Sequence, residues 1–136
     1  MSEVTDQTVQ QGFEQFARMA GEERASQLRE VWHRISPDFE HFVLGALGGQ
    51  VWTRPGLDLR TRSLVTISAL AALNRPRALS LNIEMALGNG ATREEIRETL
   101  LQMAFYAGFP VAWEGLAAAD EVFRQLDADG SETQPV

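Results

Sequence analysis

Apolar residues recur along this chain at intervals of three and four positions, the spacing of one face of an α-helix. The stripe within residues 25–35 is one instance, and Ile96, Leu100 and Met103 form another. No segment shows the convincing alternation of a half-buried strand. The pattern therefore predicts an all-α protein with six or seven helices and no internal repeat of solenoid period.

Start and stop signals place the boundaries of these helices. Ser36 and Pro37 provide an N-cap and a first helical position, and Thr92 with Glu95 forms a capping box. The pair Gly48-Gly49 is expected to end the third helix. The predicted helices cover about residues 7–20, 22–34, 37–47, 59–74, 76–88, 93–107 and 110–126.

The length of the chain fits one domain of ordinary size. We predict a single helical domain over residues 1–126 and a disordered tail over residues 127–136, which is polar and lacks apolar anchors. The segments 63–73 and 100–113 are apolar on almost every side, as is typical of helices buried inside something larger. Self-association buries such helices most easily, so we predict a homo-oligomer.

Composition removes several classes of function. The 136 residues include no Cys and no Lys, and 12 basic against 19 acidic residues give a net charge of −7. The missing Cys excludes disulfides and thiol catalysis, and the missing Lys excludes Schiff-base chemistry. The acidic balance argues against nucleic acid as a partner. Because neither a signal peptide nor a membrane-spanning stretch is recognisable, we expect a cytoplasmic protein with no membrane partner.

The basic residues are concentrated in one segment. Residues 51–79 hold five of the 12 Arg, with Asp58 as the segment's one acidic residue. An Arg-rich segment suits a small anionic ligand, because the guanidinium fork matches the geometry of a carboxylate. Alternatively, these Arg residues pair with Glu at helix or subunit contacts. They are Arg54, Arg60, Arg62, Arg75 and Arg77.

Several sequence blocks occur in the order typical of one family. They include VWTRPGLD at residues 51–58, ALGNG at 86–90 and YAGFP at 106–110. Through these blocks the chain resembles the carboxymuconolactone decarboxylase family, over about residues 38–125. The resemblance implies the all-helical fold shared with alkylhydroperoxidases, assembled as a trimer or hexamer. It also implies chemistry on small carboxylated lactones without a cofactor.

Three positions depart from the family's usual residues. A His is usual where this chain has Asn82, a Cys is frequent where it has Ala107, and a commonly found Glu falls at Gly45. The resemblance thus implies the fold, whereas the missing Cys excludes the thiol peroxidase branch. The missing His implies altered chemistry, such as a rearrangement or cyclisation in specialised biosynthesis.

Four residues are candidates for catalysis. Asn82 lies on an apolar arc of its helix, so it either lines a pocket or is a buried structural amide; an amide can donate to an oxyanion but cannot carry a proton at neutral pH. Tyr106 can donate to a developing enolate, or it packs in the core. His41 or Glu114 would carry the proton, although Glu114 can instead pair with an Arg across a subunit contact.

Three further residues are candidates for substrate binding. Trp52 and Trp113 would form aromatic walls, and Arg54 would hold a carboxylate. The alternative is that Trp52 packs a turn and Arg54 pairs with a surface Glu. The other His of the chain, His33, lies at the end of its helix, where a cation is favourable. With two His and no recognisable carboxylate spacing, we expect no metal site and no cofactor.

Two functions from different classes fit these observations. The first is a cofactor-independent lyase or isomerase that acts on a small carboxylated, lactone or polyfunctional ring substrate. In this hypothesis Asn82 and Tyr106 polarise the substrate and Arg54 holds its negative group. The second is a non-catalytic homologue that keeps the oligomeric scaffold and binds a ligand or a partner.

Overall fold

A computed structural model describes residues 2–130 of the chain, and within them it contains seven α-helices and no strand. The prediction of an all-α fold is therefore confirmed. A π-helical segment, Val43–Val51, continues the third helix without a break. The helices are α1 (Asp6–Ala20), α2 (Glu22–Ile35), α3 (Pro37–Phe42), α4 (Leu59–Ala72), α5 (Pro76–Gly88), α6 (Arg93–Tyr106) and α7 (Phe109–Ala128).

The chain divides into two compact units. The single domain over residues 1–126 stays a prediction. The N-terminal unit ends at Asp58 and contains α1, α2, α3 and the π-helical segment, and the C-terminal unit begins at Leu59 and contains α4 to α7. Helix α7 extends to Ala128, two residues past the predicted boundary at Leu126. The last six residues of the predicted tail, 131–136, lie outside the described residues.

The start and stop signals act largely as the sequence predicts. The Ser36 hydroxyl accepts from Phe39 N at 3.1 Å, and Pro37 follows as the first residue of α3. At the start of α6, the Thr92 hydroxyl accepts from Glu95 N at 3.0 Å, while a Glu95 carboxylate oxygen accepts from Thr92 N at 2.9 Å. The capping box is therefore formed, and it satisfies two backbone donors that the helix cannot satisfy itself.

The predicted end of the third helix at Gly48-Gly49 is wrong, because both glycines lie inside the π-helical segment. Their role is close packing against α1. A Cβ atom on Gly49 would lie 2.2 Å from the Thr8 carbonyl oxygen, and one on Gly12 would lie 1.6 Å from the Leu44 carbonyl oxygen. The missing side chains allow the two backbones to touch, so these glycines join helices instead of ending one.

The core of the C-terminal unit is formed by apolar residues from all four of its helices. Ile67 of α4, Ile83 of α5 and Ile96 of α6 are all completely buried. Gly115 on α7 allows close approach, since a Cβ there would lie 2.9 Å from a methyl group of Leu100. Ile96 and Leu100 of the predicted apolar face on α6 thus lie in the core, whereas Val31 and Ile35 of the stripe within residues 25–35 are exposed. None of the helices within residues 2–130 is long and apolar enough to span a membrane.

Candidate functional site

The seven predicted site residues fall in both units. The C-terminal unit holds four of them, on α5, α6 and α7, and the N-terminal unit holds three, on α3 and in the turns after the π-helical segment. Those in the C-terminal unit are Asn82, Tyr106, Trp113 and Glu114, and those in the N-terminal unit are His41, Trp52 and Arg54.

Asn82 is half-buried in the middle of α5. Its Nδ2 donates to the carbonyl oxygen of Ala78, one turn earlier, at 2.8 Å. An amide nitrogen has two hydrogens and the amide oxygen accepts, so one N–H and the oxygen of Asn82 remain available to a ligand. This bond within the helix orients the side chain without using its full hydrogen-bonding capacity.

Tyr106, Trp113 and Glu114 lie around the corner between α6 and α7, and all three are exposed. The exposed fractions of Tyr106 and Trp113 are 81% and 77%, so neither ring belongs to the core of this chain. Within residues 2–130, the side chains of these three residues form no hydrogen bond or ion pair. In the described part of the chain, these three side chains therefore have no hydrogen-bond or ion-pair partner, and none of them is hydrogen-bonded to Asn82.

Large aromatic side chains at this same corner are exposed to an unusual degree. Phe105 is 78% exposed and Phe109 is 67% exposed, and their rings meet edge to face at 5.6 Å between centroids. Together with Tyr106 and Trp113 they form what we term the aromatic corner. Four such side chains within nine residues are more apolar surface than scattered exposure explains, and such patches mark interaction sites.

In the N-terminal unit, the three predicted residues differ in burial. Trp52 is buried, with 5% of its surface exposed. Its backbone N–H donates to the Leu47 carbonyl oxygen, five residues earlier, at 2.9 Å. Arg54 is exposed, and it has an interaction partner within the chain. His41 is half-buried, and its ring meets the edge of Phe42 at 5.3 Å. No carboxylate within residues 2–130 contacts the imidazole of His41.

Part of the Arg-rich segment is used within the chain. Arg60 at the start of α4 forms a two-pronged ion pair with Glu95 of α6, in which Nε lies 3.0 Å from Oε1. Hydrogen bonds from Arg60 and from the Thr92 backbone lower the pKa of Glu95 from 4.5 to about 2. The alternative interpretation, pairing with Glu at a helix contact, is therefore correct for Arg60.

A second Arg pair fixes the end of the last helix. Arg93 of α6 is buried, and its two terminal nitrogens lie 2.7 and 3.2 Å from the carboxylate oxygens of Asp127. Its guanidinium also stacks on the Phe123 ring at 4.9 Å. The Arg93 hydrogen bond and charge lower the pKa of Asp127, against a smaller effect of burial. This pair connects the first residue of α6 to the last turn of α7.

Sequence reasoning missed a cluster in the N-terminal unit. Glu40 of α3 accepts from Arg29 Nε at 2.9 Å, and its other oxygen lies 2.8 Å from His33 Nδ1. The sequence assigned His33 a role at a helix end and gave Glu40 none. Arg29 and His33 are four residues apart on one helix face, which is the signal that the sequence offered. The side chains meet only because α3 folds back onto α2.

Comparisons with known proteins agree with this fold. The model of the carboxymuconolactone decarboxylase family matches residues 37–121. The chain is 36% identical to a 4-carboxymuconolactone decarboxylase of Acinetobacter baylyi, over 89% of this chain and 90% of that protein. It therefore belongs to the carboxymuconolactone decarboxylase family.

Of two further relatives, one is named as a decarboxylase and the other is uncharacterized. A nitrosuccinic acid decarboxylase of Metarhizium robertsii is 34% identical, over 64% of this chain and 61% of that protein. An uncharacterized 15.0 kDa protein of Paracoccus denitrificans, encoded between nqo9 and nqo10, is 32% identical over 74% of this chain and 88% of its own length.

Proposed function

We propose that this chain is a cofactor-independent lyase that decarboxylates a small carboxylated substrate. The observation that carries the proposal is the 36% identity to a named decarboxylase over nine-tenths of both chains. A second relative, named for a different small acid, supports decarboxylation as the shared reaction class. The predicted cytoplasmic location stays a prediction.

The reaction needs two contributions from side chains. When the carbon–carboxylate bond breaks, CO₂ leaves. The electron pair of that bond stays on the substrate, which becomes an enolate or a similar anion. A hydrogen-bond donor stabilises that charge, and a proton carrier then delivers a proton to the carbon. We assign the first role to the available N–H of Asn82, with Tyr106 as a second donor, and the second role to Glu114 of the same unit. His41 as the proton carrier stays a prediction.

Substrate binding requires a cation and an apolar surface. We assign the exposed Trp113 to the apolar part of the substrate, whereas Trp52, with 5% of its surface exposed, has too little free surface for that role. That Arg54 holds a carboxylate of the substrate stays a prediction. Because the substrates named for the relatives carry carboxylates, the Arg-rich segment supports an anionic substrate. A rearrangement or cyclisation at the same residues is the variant of this chemistry that the missing family His favours.

We further propose that the protein acts as a homo-oligomer, a trimer or hexamer. The aromatic corner supports this proposal, because about two-thirds or more of each of its four side chains is exposed in a single chain. Burying a large aromatic side chain stabilises a contact by roughly 1.5–3 kcal/mol.

The proposal is tested by measuring CO₂ release from 4-carboxymuconolactone and from nitrosuccinic acid. We expect turnover by the native chain and a loss of about 100-fold in kcat for Asn82→Leu, the magnitude typical of a lost oxyanion donor. The matched control on the same helix is Ser80→Ala, which we expect to keep full activity. Equal activity of Asn82→Leu and the native chain would remove Asn82 from the site.

Replacement of Asn82 by His restores the residue usual in the family. A His at this half-buried position introduces a group that titrates near neutral pH, so Asn82→His is expected to add a new step to the kcat profile between about pH 5 and 8. A profile identical to that of the native chain would contradict the assignment.

A non-catalytic homologue is the second candidate. The observation that favours it is Asn82 itself, since an amide cannot exchange a proton at neutral pH. In that case neither acid is decarboxylated by the native chain, and Asn82→His does not create turnover. Binding of either acid without CO₂ release would then identify the ligand-binding homologue.

A further inference from the structure

A groove of about 880 Å³ lies within the N-terminal unit, between α1, α2 and the start of α3. It is separate from every residue assigned above. Apolar surface comes from Phe13 of α1 and Val31 of α2, of which Val31 is 39% exposed. Charged and hydrogen-bonding side chains of α2 and α3 provide the remainder of its lining. The groove thus combines an apolar wall with several polar groups, as ligand sites do.

One carboxylate organises the polar side of the groove. Both oxygens of Glu40 are held, one by Arg29 Nε at 2.9 Å and one by His33 Nδ1 at 2.8 Å. Burial raises the pKa of Glu40, but the hydrogen bonds from His33 and Arg29 outweigh it and lower the pKa below its usual value. Glu40 is therefore ionised at neutral pH and accepts from both partners.

The ionised state of Glu40 fixes the tautomer of His33. Because a carboxylate can only accept, His33 Nδ1 carries the hydrogen, and in the neutral ring Nε2 then has a free lone pair. Among residues 2–130 no hydrogen bond or ion pair to that second nitrogen is formed, and the ring lines the groove with 66% of its side-chain surface exposed. The groove therefore presents an oriented hydrogen-bond acceptor.

The adjacent cation sets the charge of the expected ligand. Arg34 lines the groove and pairs with no acid among the described residues, whereas Arg29 is neutralised by Glu40. Glu30 also lines the groove, and a second negative charge on a ligand would be repelled by it. One available guanidinium beside one acid suits a ligand with a single carboxylate.

We propose that this groove binds a small hydroxy monocarboxylate with an apolar body. Its carboxylate would pair with Arg34, its hydroxyl would donate to His33 Nε2, and its apolar part would lie on Phe13 and Val31. Glu40 acts as a positioning residue, since it contacts His33 and not the ligand. The site does not depend on the proposed decarboxylase activity, so either can fail without the other.

The tautomer is tested by nitrogen chemical shifts of the imidazole rings in the full chain above pH 8. We expect His33 in the Nδ1–H form, with His41, which contacts no carboxylate, as the internal reference. Glu40→Ala is expected to return His33 to the Nε2–H form. Finding His33 as Nε2–H in the native chain would overturn the proposed acceptor.

Ligand binding is tested by titrating the full chain above pH 8, as in the tautomer test, with mandelate and with phenylacetate, which differ by one hydroxyl group. We expect mandelate to shift amide signals of α2 and to bind about fivefold more tightly than phenylacetate, the effect of one hydrogen bond. His33→Ala should abolish that preference. Arg34→Gln should weaken both ligands about tenfold, since a charge-assisted bond is lost.

The control variant is Arg24→Gln, which removes an Arg of the same helix that does not line the groove. We expect it to bind both ligands as the native chain does. Equal weakening by Arg24→Gln and Arg34→Gln would show a general charge effect and overturn the proposal. Absence of mandelate binding at millimolar concentration, or an unchanged preference in His33→Ala, would also overturn it.

Discussion

Hydrogen bonds orient individual side chains in this protein and thereby determine which of their polar atoms are available to a ligand. Asn82 uses one amide hydrogen on its own helix, so it is oriented but still able to bind a ligand. His33 is oriented by Glu40, whereas His41 has an aromatic neighbour and no acid. Of the two His residues, His33 thus has the arrangement expected of an oriented acceptor, although the sequence favoured His41 for chemistry.

The Glu95 carboxylate provides a prediction about acid stability. Its pKa is about 2 in the folded chain and 4.5 without its partners, so its ionised form favours folding. That stabilisation is complete above pH 4.5 and is lost as the pH falls through 4.5 towards 2. Glu95→Gln should therefore lower the urea midpoint at pH 7. The difference in midpoint between the variant and the native chain should become smaller as the pH falls from 4.5 towards 2.

Two further variants separate the ion pair from the capping box. Glu95→Ala removes both interactions and should be less stable than Glu95→Gln, because Gln can still accept from the Thr92 backbone. Glu94→Gln removes the same charge from the neighbouring exposed position and should leave the midpoint unchanged. A pH-independent effect of Glu95→Gln would contradict the assigned ion pair.

The helices pack against one another in a different way in each of the two units. In the C-terminal unit, large aliphatic side chains fill the space between α4, α5, α6 and α7. In the N-terminal unit, α1 lies directly on the π-helical segment, with glycines at the contact. Such π-helical turns are rare and are often found at functional sites. The helical period predicted the first kind of contact and gave no indication of the second.

Gly12 tests the close contact between α1 and the π-helical segment. In Gly12→Ala the new methyl group would overlap the Leu44 carbonyl oxygen, so we expect a loss of about 3 kcal/mol in the free energy of unfolding. Urea unfolding followed by Trp fluorescence measures it. The matched control is Gly56→Ala, where no atom lies within 4 Å of the added carbon and stability should change by less than about 1 kcal/mol. Similar stability of both variants would refute the close contact.

Over the whole molecule, the apolar surface that one chain leaves exposed supports the proposed self-association. The aromatic corner is exposed although its residues belong to a segment that is apolar on nearly every side. The sequence predicted burial of this segment, and one chain buries only part of it: Leu100 is fully buried, whereas the aromatic corner is exposed. Self-association resolves the difference, and it stays a proposal.

Self-association is tested by substituting two residues of the aromatic corner, in the double variant Phe105→Ser and Trp113→Ser. Because both side chains are largely exposed in one chain, we expect reduced molecular mass in analytical ultracentrifugation with unchanged helical circular dichroism. The control is Leu73→Ser, which is 62% exposed on the same unit and should keep the native mass. A native chain that is monomeric at all concentrations, or equal dissociation of the control, would refute the proposal.

Most helix positions, two of the caps and the family could be read from the order of the residues alone. Helical period and capping depend on residues within a few positions of each other, so the Thr92–Glu95 capping box and the start of α3 at Pro37 were predictable. The sequence blocks typical of the family were likewise readable, and the match of the family model over residues 37–121 confirms the family. These features are local in the chain, and local chemistry is readable from one sequence.

Contacts between residues far apart in the chain became visible only in the folded protein. The glycines at positions 48 and 49 read as a helix end, but the approach of α1 makes them a packing surface inside a continuous helix. The Glu40 carboxylate meets His33 and Arg29 because α3 folds back onto α2. Neither partnership follows from residue type or spacing, since both depend on the path of the backbone between the partners.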